Sequence, residues 1–146
     1  MKVYLETSSL VKLYRCEEES DEVIKLIESF LEGRIELCTS AISRLELVRG
    51  LTKGGLNEVT ISRMDADLQL YAARGLKVLP VSESILECAI SYIKINHLGA
   101  IDALHLASAL MFADVLITND DHLLKSSLKK DIKHSFRIIK PSQVNF

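Results

Sequence analysis

Hydrophobic residues follow two alternating patterns along the chain. Short, nearly continuous apolar runs have the length of buried strands; they cover Val3–Leu5, Ile35–Ser40, Leu76–Val81, Val115–Thr118 and Phe136–Ile139. Between these runs, apolar residues recur every three or four positions, as on one face of a helix. The alternation predicts a single α/β domain over residues 1–146, with a parallel sheet covered by helices on both faces. Pro80 favours an edge position for the third strand, because proline cannot donate to a strand ladder.

The helical stretches are bounded by residues that begin and end helices. Ser20, Asn57 and Ser82 stand where a side-chain oxygen can accept from a first-turn amide. Gly33 and Gly75 stand just past helix ends. The predicted helices are Leu10–Tyr14, Val23–Leu31, Ala41–Leu51, Ile61–Tyr71, Ile85–Ile93, Ala100–Ala113 and Leu123–Ile132.

The composition is that of an ordinary globular protein. The 146 residues are 48% hydrophobic and 26% charged, with only 6 Gly and 2 Pro, which is enough apolar material for one core. There is neither a bilayer-length apolar run nor a signal-type start, so we expect a cytoplasmic location. Cys16, Cys38 and Cys88 are odd in number and lack the close spacing of metal ligands, which predicts reduced, structural thiols.

The net charge of −2 is not that of a protein that coats nucleic acid. If the chain binds RNA, it must do so through a local basic surface, a bound cation or a helper protein. Arg44 and Arg49 are candidate RNA contacts or partners of acids. The last predicted helix carries a further basic cluster that is either a solvated face or a guide for RNA; it consists of Lys125, Lys129, Lys130 and Lys133.

Glu6 is the first candidate for chemistry. It directly follows the first predicted strand, and the hydroxyl residues Thr7, Ser8 and Ser9 come next. In open α/β sheets the crevice beyond the carboxyl ends of the strands is where ligands bind. Glu6 is therefore predicted to face a functional crevice.

Asp102 lies in a helix that is apolar almost all round, AIDALHLASALMFA, and is predicted to be buried there. A buried carboxylate needs a partner or a metal ion. One interpretation is a functional acid. The alternative is that Asp102 is favoured by the helix dipole and pairs with His105, which lies three residues on, or with a backbone amide. For His105 itself, packing or hydrogen bonding is favoured over proton transfer.

Asp120 and Asp121 follow the fourth strand in LITNDD, at the crevice edge that Glu6 also occupies. The alternative is a helix start, in which Thr118 and Asp121 have the spacing of a capping box. Both interpretations hold together if Asp120 faces the pocket and Asp121 caps the helix.

Glu46 lies one helical turn beyond the second strand. Ser43 and Glu46 also have the spacing of a capping box. Because the apolar helical pattern already starts at Ala41, Ser40 is the better cap, which leaves Glu46 in the helix body.

These acids are more informative together than singly. Four converging carboxylates repel one another unless a divalent cation neutralises them, and oxygen ligands suit Mg²⁺ or Mn²⁺. Such a site activates water and stabilises charge on a phosphodiester. The chain has no glycine-rich nucleotide loop, GxSxG or HExxH motif.

Four segments resemble the successive motifs of PIN-domain nucleases, and most closely the VapC-like toxins of toxin–antitoxin pairs: VYLETSSLVKLY, TSAISRLELVRGL, IDALHLASAL and DVLITNDDHL. The resemblance implies a three-layer α/β/α fold, Mg²⁺- or Mn²⁺-dependent endoribonuclease activity, a homodimer and an antitoxin partner. It implies an acidic set with Glu6, Asp102 and Asp120 as metal ligands and Glu46 as a further catalytic acid. Thr7 or Ser8 and Asn119 are the implied hydrogen-bonding helpers.

Glu6 stands where this family usually has Asp. The extra methylene displaces the carboxylate, and Mg²⁺ requires near-ideal octahedral geometry. The alternative function is therefore a catalytically weakened PIN-fold module that binds RNA or protein. A phosphotransfer receiver is less favoured, because it needs two neighbouring acids at the first strand end and only Glu6 is present.

Overall fold

The computed structural model describes residues 1–55, 57–125, 128 and 130–145. Its five strands form one parallel sheet in the order β3-β2-β1-β4-β5. They are β1 (Lys2–Leu5), β2 (Glu36–Ser40), β3 (Lys77–Leu79), β4 (Val115–Ile117) and β5 (Arg137–Ile139). The predicted α/β class is confirmed. The strand β3, which ends one residue before Pro80, lies at the edge of the sheet, as expected.

Helices connect the strands and cover the sheet. They are α1 (Thr7–Leu10), α2 (Ser20–Leu31), α3 (Ile42–Lys53), α4 (Glu58–Ala73), α5 (Glu83–Asn96), α6 (Ala100–Phe112) and α7 (Asp121–Leu124). Short 3₁₀ turns follow α1 and β5, at Val11–Leu13 and Pro141–Gln143.

The core lies in two layers, one on each face of the sheet. Val3 and Leu5 of β1 point into one apolar cluster, which includes residues of α2, α3 and α4. Tyr4 points into the other, which includes residues of α5 and α6. Successive side chains of a strand point to opposite faces, so β1 is buried on both sides. The molecule is a three-layer α/β/α domain.

Two predicted helix caps are confirmed. The Asn57 side chain accepts from the amide of Thr60 at 3.1 Å, and Ser82 accepts from Ile85 at 3.4 Å. The predicted Ser20 cap is wrong. Its hydroxyl accepts from the amide of Glu17 and donates to a carbonyl before the helix, so it stabilises the preceding turn.

The predicted helix Leu123–Ile132 is wrong in its boundaries. The helix α7 begins at Asp121 and ends at Leu124, because Lys125 has the extended backbone angle ψ of 135°. Lys129 of the predicted basic cluster lies outside the described residues. The lysines of that cluster therefore do not share one uninterrupted helix.

All three cysteines are free thiols, as predicted; Cys38 is buried and Cys16 is exposed. Within the described ranges, no helix combines the length and the apolar character that crossing a membrane requires.

Candidate active site at the carboxyl edge of the sheet

The fold places the predicted acids along one edge of the sheet. Glu6 follows β1, and its amide donates to the carbonyl of Ile117 at the end of β4, at 3.0 Å. The acids after these two central strands are therefore neighbours. Glu46 and Asp102 reach the same edge from α3 and from the first turn of α6.

Glu6 is 5% exposed, and one of its carboxylate oxygens is fully engaged. Oε2 accepts from the amide of Ser8 at 3.0 Å, from the Ser8 hydroxyl, and from the Thr118 hydroxyl at 2.9 Å. Glu6 thus caps α1 and is tied to the end of β4. The structure records no comparable hydrogen bond to Oε1 among the described residues.

Glu46 is held from two sides through its Oε1 atom. The Thr7 hydroxyl donates to Oε1 at 2.8 Å, and Nε2 of His105 lies 2.5 Å from the same oxygen. Burial acts to raise the pKa of Glu46, but the hydrogen bond and charge of His105, the Thr7 bond and the charge of Arg49 outweigh it and lower the pKa. Glu46 is therefore held in its ionised form.

The position of Glu46 in the body of α3 agrees with the prediction. The capping-box alternative is wrong, because the Ser43 hydroxyl pairs with the hydroxyl of Thr39 at 2.8 Å. The predicted Ser40 cap is displaced by one residue, because the residue directly before α3 is Ala41. The hydroxyl of Ser40 still accepts from the amide of Ile42, the first residue of α3, at 3.3 Å.

His105 lies between the two glutamates. It is 0% exposed, and its Nδ1 atom lies 2.7 Å from the hydroxyl of Tyr4. Its Nε2 atom lies 3.7 Å from Oε1 of Glu6. Of the two roles weighed for His105, the structure supports hydrogen bonding.

One ligand atom of each of Glu6, Glu46 and His105 lies within 4.8 Å of the others. Because Nε2 of His105 faces Glu46, the carboxylate oxygens are the atoms left for an ion. In the described part of the chain, no Lys or Arg forms an ion pair with Glu6, Asp102 or Asp120. Carboxylates gathered without a cationic partner are the donor set that a divalent cation neutralises. The residues present therefore suit such an ion.

Asp102 is half-buried rather than buried. Its pKa is raised, first by loss of solvation and then by the negative charges of Asp120 and Glu6. This places Asp102 within the electrostatic reach of both. The predicted pairing of Asp102 with His105 is wrong, because both ring nitrogens of His105 face Tyr4 and Glu46.

Asp120 caps α7, since its Oδ1 atom accepts from the amide of His122 at 2.7 Å. Its own amide donates to the hydroxyl of Thr118 at 3.0 Å. The predicted capping role of Asp121 is therefore wrong, whereas the prediction that Asp120 faces the pocket is compatible with its charge acting on Asp102. Asp121 is exposed in the first turn of the helix.

Asn119 ties the loop after β4 to the rest of the site. Its Oδ1 atom accepts from Ser9 at 2.7 Å, its Nδ2 atom donates to Glu19, and its amide donates to the hydroxyl of Ser8 at 2.9 Å. Both ends of the side chain are thus in use. Its helper role near a metal stays a prediction.

Sequence reasoning missed two residues of the site, Thr118 as a partner of Glu6 and Tyr4 as a partner of His105. Thr118 carried a signal, because it is a hydroxyl residue at the end of the strand beside β1. Tyr4 carried no such signal, since an aromatic residue within an apolar strand is expected to be a core residue.

The two candidate arginines differ in their surroundings. Arg44 binds the carboxylate of Asp65 through two nitrogens, at 2.8 and 3.0 Å, so its pairing with an acid is confirmed. Arg49 is exposed, and its charge helps to lower the pKa of Glu46. Arg49 is therefore the arginine near the acidic cluster.

A cavity of about 300 Å³ opens beside Asp102. Its walls include His97, His122 and Lys125 together with Leu98 and Gly99. The Nζ atom of Lys125 lies 3.3 Å from Nδ1 of His122. The cavity thus joins a carboxylate of the site to basic side chains.

Comparisons with known proteins give the family and the fold of the chain. The family model described as PIN domain matches residues 3–127. Over 125 residues the chain is 30% identical to Ribonuclease VapC47 of Mycobacterium tuberculosis, covering 84% of this chain and 87% of that protein. The structure is similar to a chain of FitAB bound to an IR36 DNA fragment, with a TM-score of 0.70, 23% identity, and coverage of 99% and 98%. A chain of a toxin–antitoxin complex from Klebsiella pneumoniae has a TM-score of 0.63 at 16% identity, with coverage of 97% and 99%.

Proposed function

The chain belongs to the PIN domain family, and on that premise we propose that it is a metal-dependent endoribonuclease, the toxin of a type II toxin–antitoxin pair. The observation that carries the proposal is the gathering of Glu6, Glu46, Asp102 and Asp120 at one sheet edge, without a Lys or Arg partner for Glu6, Asp102 or Asp120 among the described residues. The similarity to a protein named as a ribonuclease supports the reaction type.

Glu6, Asp102 and Asp120 would hold the metal ion, which we propose is Mg²⁺ or Mn²⁺. When bound, the ion would lower the pKa of water and offset negative charge on the phosphodiester. The pKa of Asp102 is raised first by burial and then by the negative charges of Asp120 and Glu6, and a divalent cation would offset those charges.

Glu46 is proposed to accept the proton of the attacking water. Its lowered pKa keeps it ionised and able to accept. Thr7 and His105 hold one of its oxygens, so the side chain need not reorganise as the reaction proceeds. Ser8 bonds to both Glu6 and Asn119 and would thereby fix the carboxylate of Glu6, the first of the three proposed metal ligands.

The hydrogen bonds to Glu6 favour an active enzyme over the weakened binding module. Three donors from Ser8 and Thr118 meet one oxygen of Glu6. The longer side chain therefore has a fixed place in the site, with the second oxygen directed toward the other acids.

RNA is the proposed substrate, and the cavity beside Asp102 supports it. Lys125 and His122 supply positive or hydrogen-bonding groups next to the acids, where an RNA phosphate would otherwise be repelled. Arg49 is a second proposed contact. Because the net charge is −2, such local groups would carry the attraction to RNA.

A cognate antitoxin and a second copy of the chain are the proposed protein partners. The similarity to a chain of a toxin–antitoxin complex supports the first. Large apolar side chains left exposed on α2, α3 and α4 support a covered surface; Ile24, Leu31, Leu45 and Val59 are 45%, 44%, 73% and 74% exposed.

The test of the function is RNA cleavage by purified protein in Mg²⁺, in Mn²⁺ and with a chelator. We expect cleavage only with a divalent ion, and a loss of at least about 100-fold in Asp102→Asn because a charged ligand is gone. Asp21→Asn is the matched control, since Asp21 occupies the first turn of α2 as Asp102 does that of α6. Cleavage at the full rate by Asp102→Asn would contradict the assignment.

A further inference from the structure

The side chain of His105 lies in the protein interior with both ring nitrogens engaged. Nδ1 lies 2.7 Å from the Tyr4 hydroxyl and Nε2 lies 2.5 Å from Oε1 of Glu46. The ring of Tyr4 meets the imidazole edge-on, with centroids 5.9 Å apart. Rotation of the imidazole would break two hydrogen bonds of a fully buried ring, so β1 and α6 together fix the position of Nε2.

The chemistry of Glu46 fixes the proton on Nε2. An ionised carboxylate only accepts, so Nε2 carries the proton donated to Glu46. The second nitrogen, Nδ1, accepts from the Tyr4 hydroxyl when the ring is neutral and donates to the hydroxyl oxygen when the ring is charged; Nε2 carries a proton in both cases. Burial raises the pKa of Tyr4 well above its usual value, so the hydroxyl keeps the proton that its bond to the neutral ring requires.

Both donors to Glu46 act on the same oxygen. His105 and Thr7 meet Oε1, and no group in the described ranges of the chain donates a hydrogen bond to Oε2. Two donors at one oxygen define the plane of the carboxylate and hence the direction of the other oxygen. The Glu46 side chain is 30% exposed, so Oε2 is the oxygen left for water or substrate.

We propose that His105 is the positioning residue of Glu46, holding Oε1 so that Oε2 faces the reacting group. This role rests on the proposed nuclease function. His105 itself is 0% exposed and does not touch the substrate. A residue that only filled the core at this place would leave Glu46 with Thr7 as its one remaining side-chain donor among the residues that the structure describes.

The experiment compares His105→Gln with His105→Leu, each alone and combined with Glu46→Gln. A glutamine amide can donate from near the place of Nε2, whereas leucine fills space without donating. We expect His105→Leu to lower kcat roughly 10- to 100-fold, as loss of an orienting partner does, with KM for RNA nearly unchanged. His105→Gln should recover most of that loss.

In the Glu46→Gln background, His105→Leu should cost little further activity, because the group that His105 positions is already gone. Additive losses in the double variant would overturn the proposal, and so would equal losses in His105→Gln and His105→Leu. Leu106→Val is the control for packing, since Leu106 is also 0% exposed and lies on the same helix; its kcat should stay near that of the wild type.

A spectroscopic measurement separates this proposal from the proposed function. In the protein without metal, ¹⁵N NMR of the His105 ring should show a protonated Nε2, and Glu46→Gln should shift the Nε2–H signal. If the wild type cleaves no RNA, the nuclease assignment fails, but the NMR result still tests the bond from His105 to Glu46 independently. A proton on Nδ1 with none on Nε2 would overturn the role of His105.

Discussion

Glu6 uses its two carboxylate oxygens for different purposes. Oε2 accepts from Ser8 and Thr118, while Oε1 lies 3.7 Å from Nε2 of His105. A single side chain therefore begins α1, binds the end of β4 and faces the other acids. The additional methylene of Glu relative to Asp is accommodated because Ser8 and Thr118 donate hydrogen bonds to Oε2 of Glu6.

Glu6→Gln should lower kcat/KM in Mg²⁺ by at least about 100-fold, because a neutral amide is a poor ligand for a hard cation. Glu6→Asp should not exceed the wild-type rate, since the shorter chain gives up the contacts that hold Glu6. The measurement is cleavage of one RNA by the three proteins side by side. A gain of tenfold or more in Glu6→Asp would instead favour the weakened binding module.

Asp102 is predicted to trade stability for function. Its pKa is raised above the ordinary 3.8 by burial, Asp120 and Glu6, so its ionised form destabilises the fold. That cost is absent below the ordinary pKa, grows as the pH rises toward the raised pKa, and is complete above it.

Asp102→Asn should therefore raise the Tm at pH 7, without metal, while removing activity. At pH 3, where Asp102 is protonated in both states, the two proteins should have nearly equal Tm values. Thermal unfolding at the two pH values checks this, with Asp21→Asn as the control. A lower Tm for Asp102→Asn at pH 7 would contradict the crowding of these carboxylates.

At the scale of elements, the residue that follows β4, Thr118, contributes a hydroxyl to the site rather than a charge. Thr118 is 0% exposed; it donates to Glu6 and accepts from the amide of Asp120. The loop after β4 and the loop after β1 are thereby joined through one side chain.

Thr118→Val should lower kcat about tenfold and the free energy of unfolding by about 1–2 kcal/mol, since two buried hydrogen bonds lose their partner. Thr39→Val is the matched control. Thr39 lies near the end of β2 and donates to the carbonyl of Leu5 at 2.8 Å, so its loss should cost similar stability and much less activity. Equal losses of activity in both variants would show that Thr118 acts only through the stability of the core.

The sequence predicted the elements better than it predicted the contacts between them. Apolar runs and caps such as Asn57 are local features, so the strands and most helices could be located in advance. The bond between His105 and Glu46 joins positions 59 residues apart, and no local pattern reports such a pair. Asp120 and Asp121 are adjacent and chemically alike, so only the backbone of the loop decides which of them caps α7.

At the scale of the whole molecule, the net charge of −2 means that the proposed binding of RNA would depend on local groups. The cavity beside Asp102 brings His122 and Lys125 next to the acids. The proposed function predicts that an RNA strand places its scissile phosphate at the acids and a neighbouring phosphate at the basic wall of this cavity.

Lys125→Gln should raise KM for RNA several-fold with little change in kcat, because the contact is with a phosphate away from the reaction. The slope of log affinity against log salt should fall by about 0.7, the loss of one phosphate contact on a single strand. Binding measured with a chelator present checks this, with the exposed Lys94 of α5 changed to Gln as the control. An unchanged slope of log affinity against log salt would show that Lys125 does not contact an RNA phosphate.

The several contacts of Glu6 have a consequence for how this protein can evolve. A substitution at position 6 alters the start of a helix, the tie between two strands and the charge of the pocket in one step. Selection therefore cannot adjust the charge at this position without also adjusting the local fold, and accepted changes should arrive together with changes at Ser8 or Thr118. Position 6 is a place where adaptation proceeds by sets of residues rather than by single replacements.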